Sequence, residues 1–381
     1  MVLRVMLILG TRPQFIKSAP IIHQFLKRRG VELQIVNSEQ HYDYELSRIF
    51  FEELRLPPPA LSLRVGSGSH ASQTGKAMVR IERGILALKP DIVLVPGDTN
   101  TTLAAALAAT KLNVPIGHIE AGARSYDMSM PEEINRTLTD HVSALLFAPT
   151  KNTELNLRAE GISRKQILQL GNTMVDALRT ALPLARKLKQ SLLRQLDLNE
   201  SEYVLTTSHR PANVDDPDKL HAIVEALARI SDNMKVVFPM HPRIARRLKS
   251  YGLHRKLIRS RNIIAMKPQG YVKMIALLDS AGAALTDSGG LQKEAFLLGT
   301  PCVTMRQTTE WPETLKNRAN VLVGAGPDRI VNSILRANKV PSRRPIDSGS
   351  PFGTGRSSER IVRAVLSSSF PSNASPWLVS S

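Results

Sequence analysis

Asp287-Ser288-Gly289-Gly290-Leu291-Gln292-Lys293-Glu294 stands between the apolar run Ala283 to Thr286 and the helix-like run Ala295 to Leu298. Strand, tight glycine turn and helix in that order are a unit of α/β folds, and such a turn lets a phosphate approach the backbone. Unpaired N–H groups at Gly289 and Gly290, with the positive end of the helix dipole, favour an anion there. Ser288 adds a hydroxyl donor. Glu294, a turn or two further on, is within reach of a ribose diol if a nucleotide crosses the turn. Ser-Gly-Gly turns also serve as plain connections, so the other turns of the chain must decide between these readings.

Upstream, Val2 to Leu9 is a near-continuous apolar run, the mark of a parallel strand buried on both faces. Gly10-Thr11-Arg12-Pro13 ends it, and Pro13 suits the first turn of a helix that carries Ile16, Ile21, Ile22 and Phe25 inward. Arg12 and Lys17 then lie at the carboxyl edge of the first strand, where open α/β sheets bind ligands. They are either anion contacts or plain surface cations. Further strands are expected at Glu32 to Val36, Asp91 to Pro96, Pro115 to Ile119, Ala144 to Ala148 and Gln166 to Leu170.

The turns after these strands are polar. Ser38-Glu39-Gln40-His41-Tyr42-Asp43 follows the second, and Gly97-Asp98-Thr99-Asn100 follows the third. Asp98 either caps the next helix or serves catalysis. Glu120 ends an apolar strand, and a carboxylate there is costly to bury unless hydrogen-bonded or used. Pro131-Glu132-Glu133-Ile134-Asn135-Arg136 opens a helix whose inward residues are expected to be Ile134, Leu138, Val142 and Leu145. Glu132 and Glu133 either complement the helix dipole or act as acids and bases.

The pattern then restarts. Arg186 to Glu202 reads as a charged helix and connection, followed by strands at Tyr203 to Thr207, Lys235 to Phe238, Asn262 to Met266, Ala283 to Thr286 and Pro301 to Met305. The first of these leads into Ser208-His209-Arg210 and the second into His241-Pro242-Arg243. Two successive strand and helix series predict an α/β protein of two Rossmann-like domains facing across a cleft, residues 1–170 and 171–357. A last helix, 358–368, is expected to pack back on the first domain, and the Ser- and Pro-rich end beyond it to fray.

Composition narrows the function. The formal charge of +18 invites a nucleic-acid reading, and residues 243–261 carry eight Lys and Arg and no acidic residue. Aromatic residues, however, are only 4% of the chain, too few for base-stacking platforms, so a solvated basic face is preferred and no nucleic-acid partner is expected. No apolar run approaches the roughly 20 residues of a membrane span, so a cytoplasmic protein without membrane insertion is expected. Cys302, the single cysteine, has no partner for a disulfide or a metal site, and no metal or cofactor is expected. No G-x-G-x-x-G fingerprint follows the first strand and no Walker sequence appears, which disfavours nicotinamide redox chemistry and ATP hydrolysis. The turn residues therefore sort into a diphosphate-neutralising set and a proton-transfer set comprising Asp98, Glu120, Glu132 and His209.

Gly10 to Lys17, Gly97 to Thr102, His118 to Gly122, Pro131 to Arg136 and Asp287 to Gly290 together resemble the motifs of the non-hydrolysing UDP-N-acetylglucosamine 2-epimerases, over nearly the whole chain. The resemblance implies a glycosyltransferase-B-like fold, usually a homodimer, inverting C2 of UDP-GlcNAc to give UDP-N-acetylmannosamine. It implies loss of UDP to 2-acetamidoglucal and re-addition, with acid and base work shared by Asp98, Glu120 and Glu132 while His209 assists UDP. Arg12, Lys17, Ser288, Gly289 and Gly290 would hold the diphosphate, His241 and Gln269 would place the nucleotide, and Glu294 would bind the ribose. Tyr42 and Pro211-Ala212 depart from the family's pattern where a second, activating UDP-GlcNAc binds. Trp311 replaces a nucleotide-contacting Arg and looks like the related branch that acts on UDP-2,3-diacetamido-glucuronic acid. A UDP-sugar glycosyltransferase is the remaining alternative.

Overall fold

The computed structural model describes residues 2–39, 51–337 and 350–369. Gln40, His41, Tyr42 and Asp43 of the second polar loop, and the Ser- and Pro-rich end from residue 370, lie outside the described residues. The chain divides into two compact units, Met1–Ala177 with Pro351–Ser381, and Leu178–Ser350. Among the described residues no helix is long and apolar enough to cross a membrane.

The first unit is built on seven parallel strands: β1 Leu3–Leu9, β2 Val31–Asn37, β3 Leu61–Ser62, β4 Ile92–Pro96, β5 Ile116–Ile119, β6 Leu145–Ala148 and β7 Ile167–Gln169. They lie in the order β3-β2-β1-β4-β5-β6-β7, so the winding reverses between β1 and β4. Val5 to Leu9 and Ile92 to Val95 are almost wholly buried, as strands covered on both faces must be. On one face Met6, Ile8, Val93 and Val95 pack with Ile81, Ile85, Ala104 and Ala108 from the helices His70–Leu88 and Asn100–Lys111. The helix Ser357–Ser367 packs against Arg12–Leu26.

The second unit repeats the scheme with β8 Tyr203–Thr207, β9 Lys235–Pro239, β10 Ile263–Met266, β11 Ala283–Thr286, β12 Cys302–Thr304 and β13 Asn320–Leu322. The order β10-β9-β8-β11-β12-β13 is again parallel and reverses between β8 and β11. Leu220, Ile223, Val224 and Leu227 line the inner face of the helix Pro217–Ser231, against Val204, Val236, Phe238 and Leu285. Burial pushes the thiol of Cys302 up to about 12, so it stays protonated and unreactive in the sheet. Two doubly wound parallel sheets are the architecture expected of a glycosyltransferase-B-like fold.

Four features differ from the readings the sequence offered. The helix Pro131–Val142 does not turn Ile134 and Leu138 inward. Both are exposed, and the buried face is polar, formed by Glu133, Asn135, Arg136, Thr139 and Asp140. Glu133, Asn135, Arg136 and Asp140 have polar or charged partners around the strand ends, and leaving them unpaired would cost more than exposing two aliphatic side chains. Asp98 does not cap the helix after β4; Thr99 is the cap and accepts from the Thr102 amide. The charged helix expected from Arg186 already begins at Thr173 and runs to Gln195, with Pro183 inside it. In the basic stretch, Arg243 and Arg247 pair with Asp215 rather than standing free.

Candidate active site

In open α/β sheets ligands gather beyond the carboxyl ends of the strands, where the winding reverses. In the first unit the loops after β1 and β4 meet there, and Gln14 joins them. Its side-chain oxygen accepts from the Gly10 and Thr11 amides (2.8 and 3.1 Å), and its nitrogen donates to the Pro96 carbonyl and the Thr99 and Thr102 hydroxyls. Asp98 projects from the second loop as a partly exposed carboxylate bonded to the guanidinium of Arg136. Arg136 is itself almost fully buried and also donates to Glu133 (2.9 Å).

Glu133 accepts from the backbone of Ser125 and Tyr126 and from the Ser125 hydroxyl, so it anchors the loop ahead of its helix. Glu132 is half-buried. Residues three and four apart on a helix share a face, which puts Glu132 beside Asn135 and Arg136. Asn135 donates to the Asp98 carbonyl (3.0 Å), so that face borders the Asp98 loop.

Glu120 adopts φ +73°, a left-handed backbone uncommon for a residue with a side chain. Its carboxylate forms an ion pair with Lys17 and accepts from Asn172 (3.0 Å). A methyl group on Gly97 would lie 3.8 Å from the Lys17 ammonium, which sets the Lys17–Glu120 pair next to the Asp98 loop. Lys17, expected as a diphosphate contact, here sits beside a carboxylate of the proton-transfer set. Arg12, at the first turn of its helix, is half-buried.

In the second unit Asp287 joins the loops after β8 and β11. Its fully buried carboxylate accepts from the Ser208 hydroxyl (2.9 Å), the backbone N–H groups of His209 and Arg210, and the Asn213 amide. The His209 ring stands 3.2 Å from it and 5.8 Å, centroid to centroid, from the His241 ring. Burial alone would raise the Asp287 carboxyl, but His209 and the converging donors outweigh it and hold the group well below the usual carboxylate range. His241 caps the helix Pro242–Ser250 through Nδ1, which accepts from the Arg243 amide.

Ser288 caps the helix Gly289–Leu298 by accepting from the Leu291 amide. Glu294 is buried in that helix, while Gln269 donates its side-chain amide to the Lys267 carbonyl (2.7 Å). Glu310 lies against the glycine turn and is held by Arg306 (2.7 Å) and Arg210 (3.6 Å). Trp311 follows it, buried, with the Lys293 ammonium 3.6 Å from its ring centroid. A Cβ on Gly289 would come within 2.1 Å of Glu310 Oε1. Gly289→Ala is therefore expected to cost about 1–3 kcal/mol, the usual price of overpacking. The check is the urea midpoint, and an unchanged midpoint would mean that Glu310 moves aside freely.

Gln14, Arg136, Asn172 and the joining role of Asp287 escaped the sequence reading. The signal available for Arg136 was its spacing of three from Glu133, which reads as an ion pair only if that face is buried. Among the described residues no group of three or more His, Cys, Asp or Glu side chains could hold a metal ion.

Comparison with known proteins bears on the chemistry of these groups. Residues 23–366 match the family model described as UDP-N-acetylglucosamine 2-epimerase. A UDP-N-acetylglucosamine 2-epimerase homolog of Methanococcus maripaludis is 45% identical, over 95% of this chain and 99% of its own. The UDP-2,3-diacetamido-2,3-dideoxy-D-glucuronate 2-epimerase of Pseudomonas aeruginosa is also 45% identical, over 94% and 98%. The crystal structure of Methanocaldococcus jannaschii UDP-GlcNAc 2-epimerase in complex with UDP-GlcNAc and UDP is similar with a TM-score of 0.89 and 43% identity, covering 96% of this chain and 99% of that one.

Proposed function

Because this chain belongs to the UDP-N-acetylglucosamine 2-epimerase family, whose members epimerise UDP-sugars, we propose that it inverts C2 of UDP-GlcNAc to give UDP-N-acetylmannosamine. The C2 proton is not acidic in the intact sugar. Departure of UDP from C1 makes the ring oxocarbenium-like and acidifies C2, so a base can remove the proton to give 2-acetamidoglucal. Protonation on the opposite face and return of UDP complete the inversion.

The observation that supports this most is the gathering of Asp98, Glu120 and Glu132 around the carboxyl edge of the first sheet, two of them beside cations. Asp98, Glu120 and Glu132 would share the transfers of the C2 proton. Ser288, Gly289 and Gly290 would hold the diphosphate with Arg12, Glu294 the ribose, and His241 and Gln269 the nucleotide, while His209 assists UDP. Lys17 would serve the same region through Glu120.

Incubation with UDP-GlcNAc in deuterated water is expected to give UDP-N-acetylmannosamine and to place deuterium at C2 in both sugars. Protium retained at C2 after prolonged incubation would overturn the proposal. Buried Trp311, together with the similarity to the Pseudomonas enzyme, favours UDP-2,3-diacetamido-glucuronic acid as the second candidate substrate. The same exchange measured on that sugar separates the two.

A further inference from the structure

We propose that His118 is a positioning residue that fixes the turns carrying Asp98 and Glu120 in one relation, through a fully buried pair with Asp140. The inference deepens the epimerase reading and rests on it. His118 lies in β5 and is wholly out of contact with solvent, as is the Asp140 side chain. Its Nδ1 is 2.6 Å from Asp140 Oδ1 and its Nε2 is 2.7 Å from the Gly97 carbonyl oxygen. A carbonyl oxygen only accepts, so Nε2 donates to Gly97 while Nδ1 pairs with the Asp140 carboxyl group, and one ring spans both.

The other Asp140 oxygen accepts from the Gly122 amide (3.1 Å) and faces Arg124 (2.7 Å). Arg124 in turn bonds Glu160 through two nitrogens, each at 2.7 Å. Arg124 thus stands between two carboxylates, those of Asp140 and Glu160. Burial would raise the Asp140 carboxyl, but His118 and Arg124 outweigh it and hold it below the ordinary range.

Buried ions are an inefficient way to add stability, since a well-packed apolar pair does as well or better. What this pair does that an apolar pair cannot is reach two turns at once. Gly97, at φ +71°, immediately precedes Asp98 and is held by its carbonyl. Gly122, at φ +77°, follows Glu120 by two residues and is held by its amide. A Cβ on Gly122 would come within 2.3 Å of the Thr153 carbonyl, so the turn has no room to relax. Glu120 keeps its unusual backbone between two fixed points, the β5 strand and the Gly122 amide.

The test compares His118→Leu, His118→Gln and Asp140→Asn with the wild-type enzyme. The readouts are melting temperature, UDP affinity by calorimetry, turnover in deuterated water, and the ratio of free UDP with 2-acetamidoglucal to epimerised product. Turnover is expected to fall about 10²-fold in His118→Leu, the size of effect that follows a displacement near 1 Å at a reacting centre. The ratio is expected to rise, because a misaligned acid leaves the intermediate time to escape. His118→Gln, whose amide can still donate to Gly97, is expected to fall between His118→Leu and wild type. Loss of folded protein lowers both products together and leaves the ratio alone, so a ratio equal to wild type in every variant that binds UDP overturns the inference. A wild-type enzyme that leaves C2 unexchanged overturns the epimerase reading and this inference with it, whereas exchange in the wild type with unchanged ratios overturns this inference alone.

Discussion

Asp98→Asn, Glu120→Gln and Glu132→Gln are each expected to lose about 10²–10⁴-fold in turnover, the span of general acid and base contributions, with UDP binding retained. Inversion needs proton transfer on opposite faces of C2, so no single carboxylate can do all the work. Each substitution keeps the side chain's shape and removes its basicity, and the groups proposed to hold UDP lie elsewhere in the chain. At least one variant is expected to release free UDP and 2-acetamidoglucal. Asp98→Asn leaves Arg136 with its second partner, Glu133, so its fold is expected to survive. Glu120→Gln removes the charge that Lys17 faces, and there circular dichroism and a melting curve must accompany the assay. Full activity in all three variants would remove these carboxylates from the reaction.

The second large effect is expected at Asp287. Hydroxyl, backbone and amide donors converge on this one buried carboxylate, and an asparagine would turn its own N–H₂ toward some of them. Removing one partner from a buried, paired charge typically costs about 3–5 kcal/mol, so Asp287→Asn is expected to lower the unfolding free energy of the second unit, read from its urea transition, by a comparable amount. UDP affinity should fall with it, because the His209 and Ser288 loops lose their joint. The pH dependence has a definite sign. The folded carboxyl is held below its unfolded value of about 4, so its contribution is full above that value and drains away as pH falls toward the folded one. Wild type should therefore lose stability on acidification below about pH 4 more steeply than Asp287→Asn. Parallel curves for the two proteins would place the low-pH loss elsewhere.

The strands were legible because both sheets are parallel and covered on both faces, which writes runs such as Val5 to Leu9 and Ala283 to Thr286 into the chain as uninterrupted apolar text. β3 and β13 left no such trace, being two and three residues long at the sheet edges. The helix Pro131–Val142 was misread for a physical reason. Its aliphatic spacing resembled a core stripe, while the stronger inward demand came from Arg136, Glu133 and Asp140, whose partners lie in other elements. The glycine turn and the carboxylates at strand ends were readable from residue type alone. Pairings such as Lys17 with Glu120, 103 residues apart, were not, since nothing in either local stretch specifies the other.

Cys302 gives the molecule an internal clock. It is the sole thiol of the chain and sits in β12 at 2% exposure, in the second unit. A thiol reagent in excess can modify it only when β12 parts from its neighbours, so the rate of modification counts openings of that sheet. The first unit contributes nothing to the signal. Openings of one half of the protein can thus be timed separately from unfolding of the whole, with no engineered label.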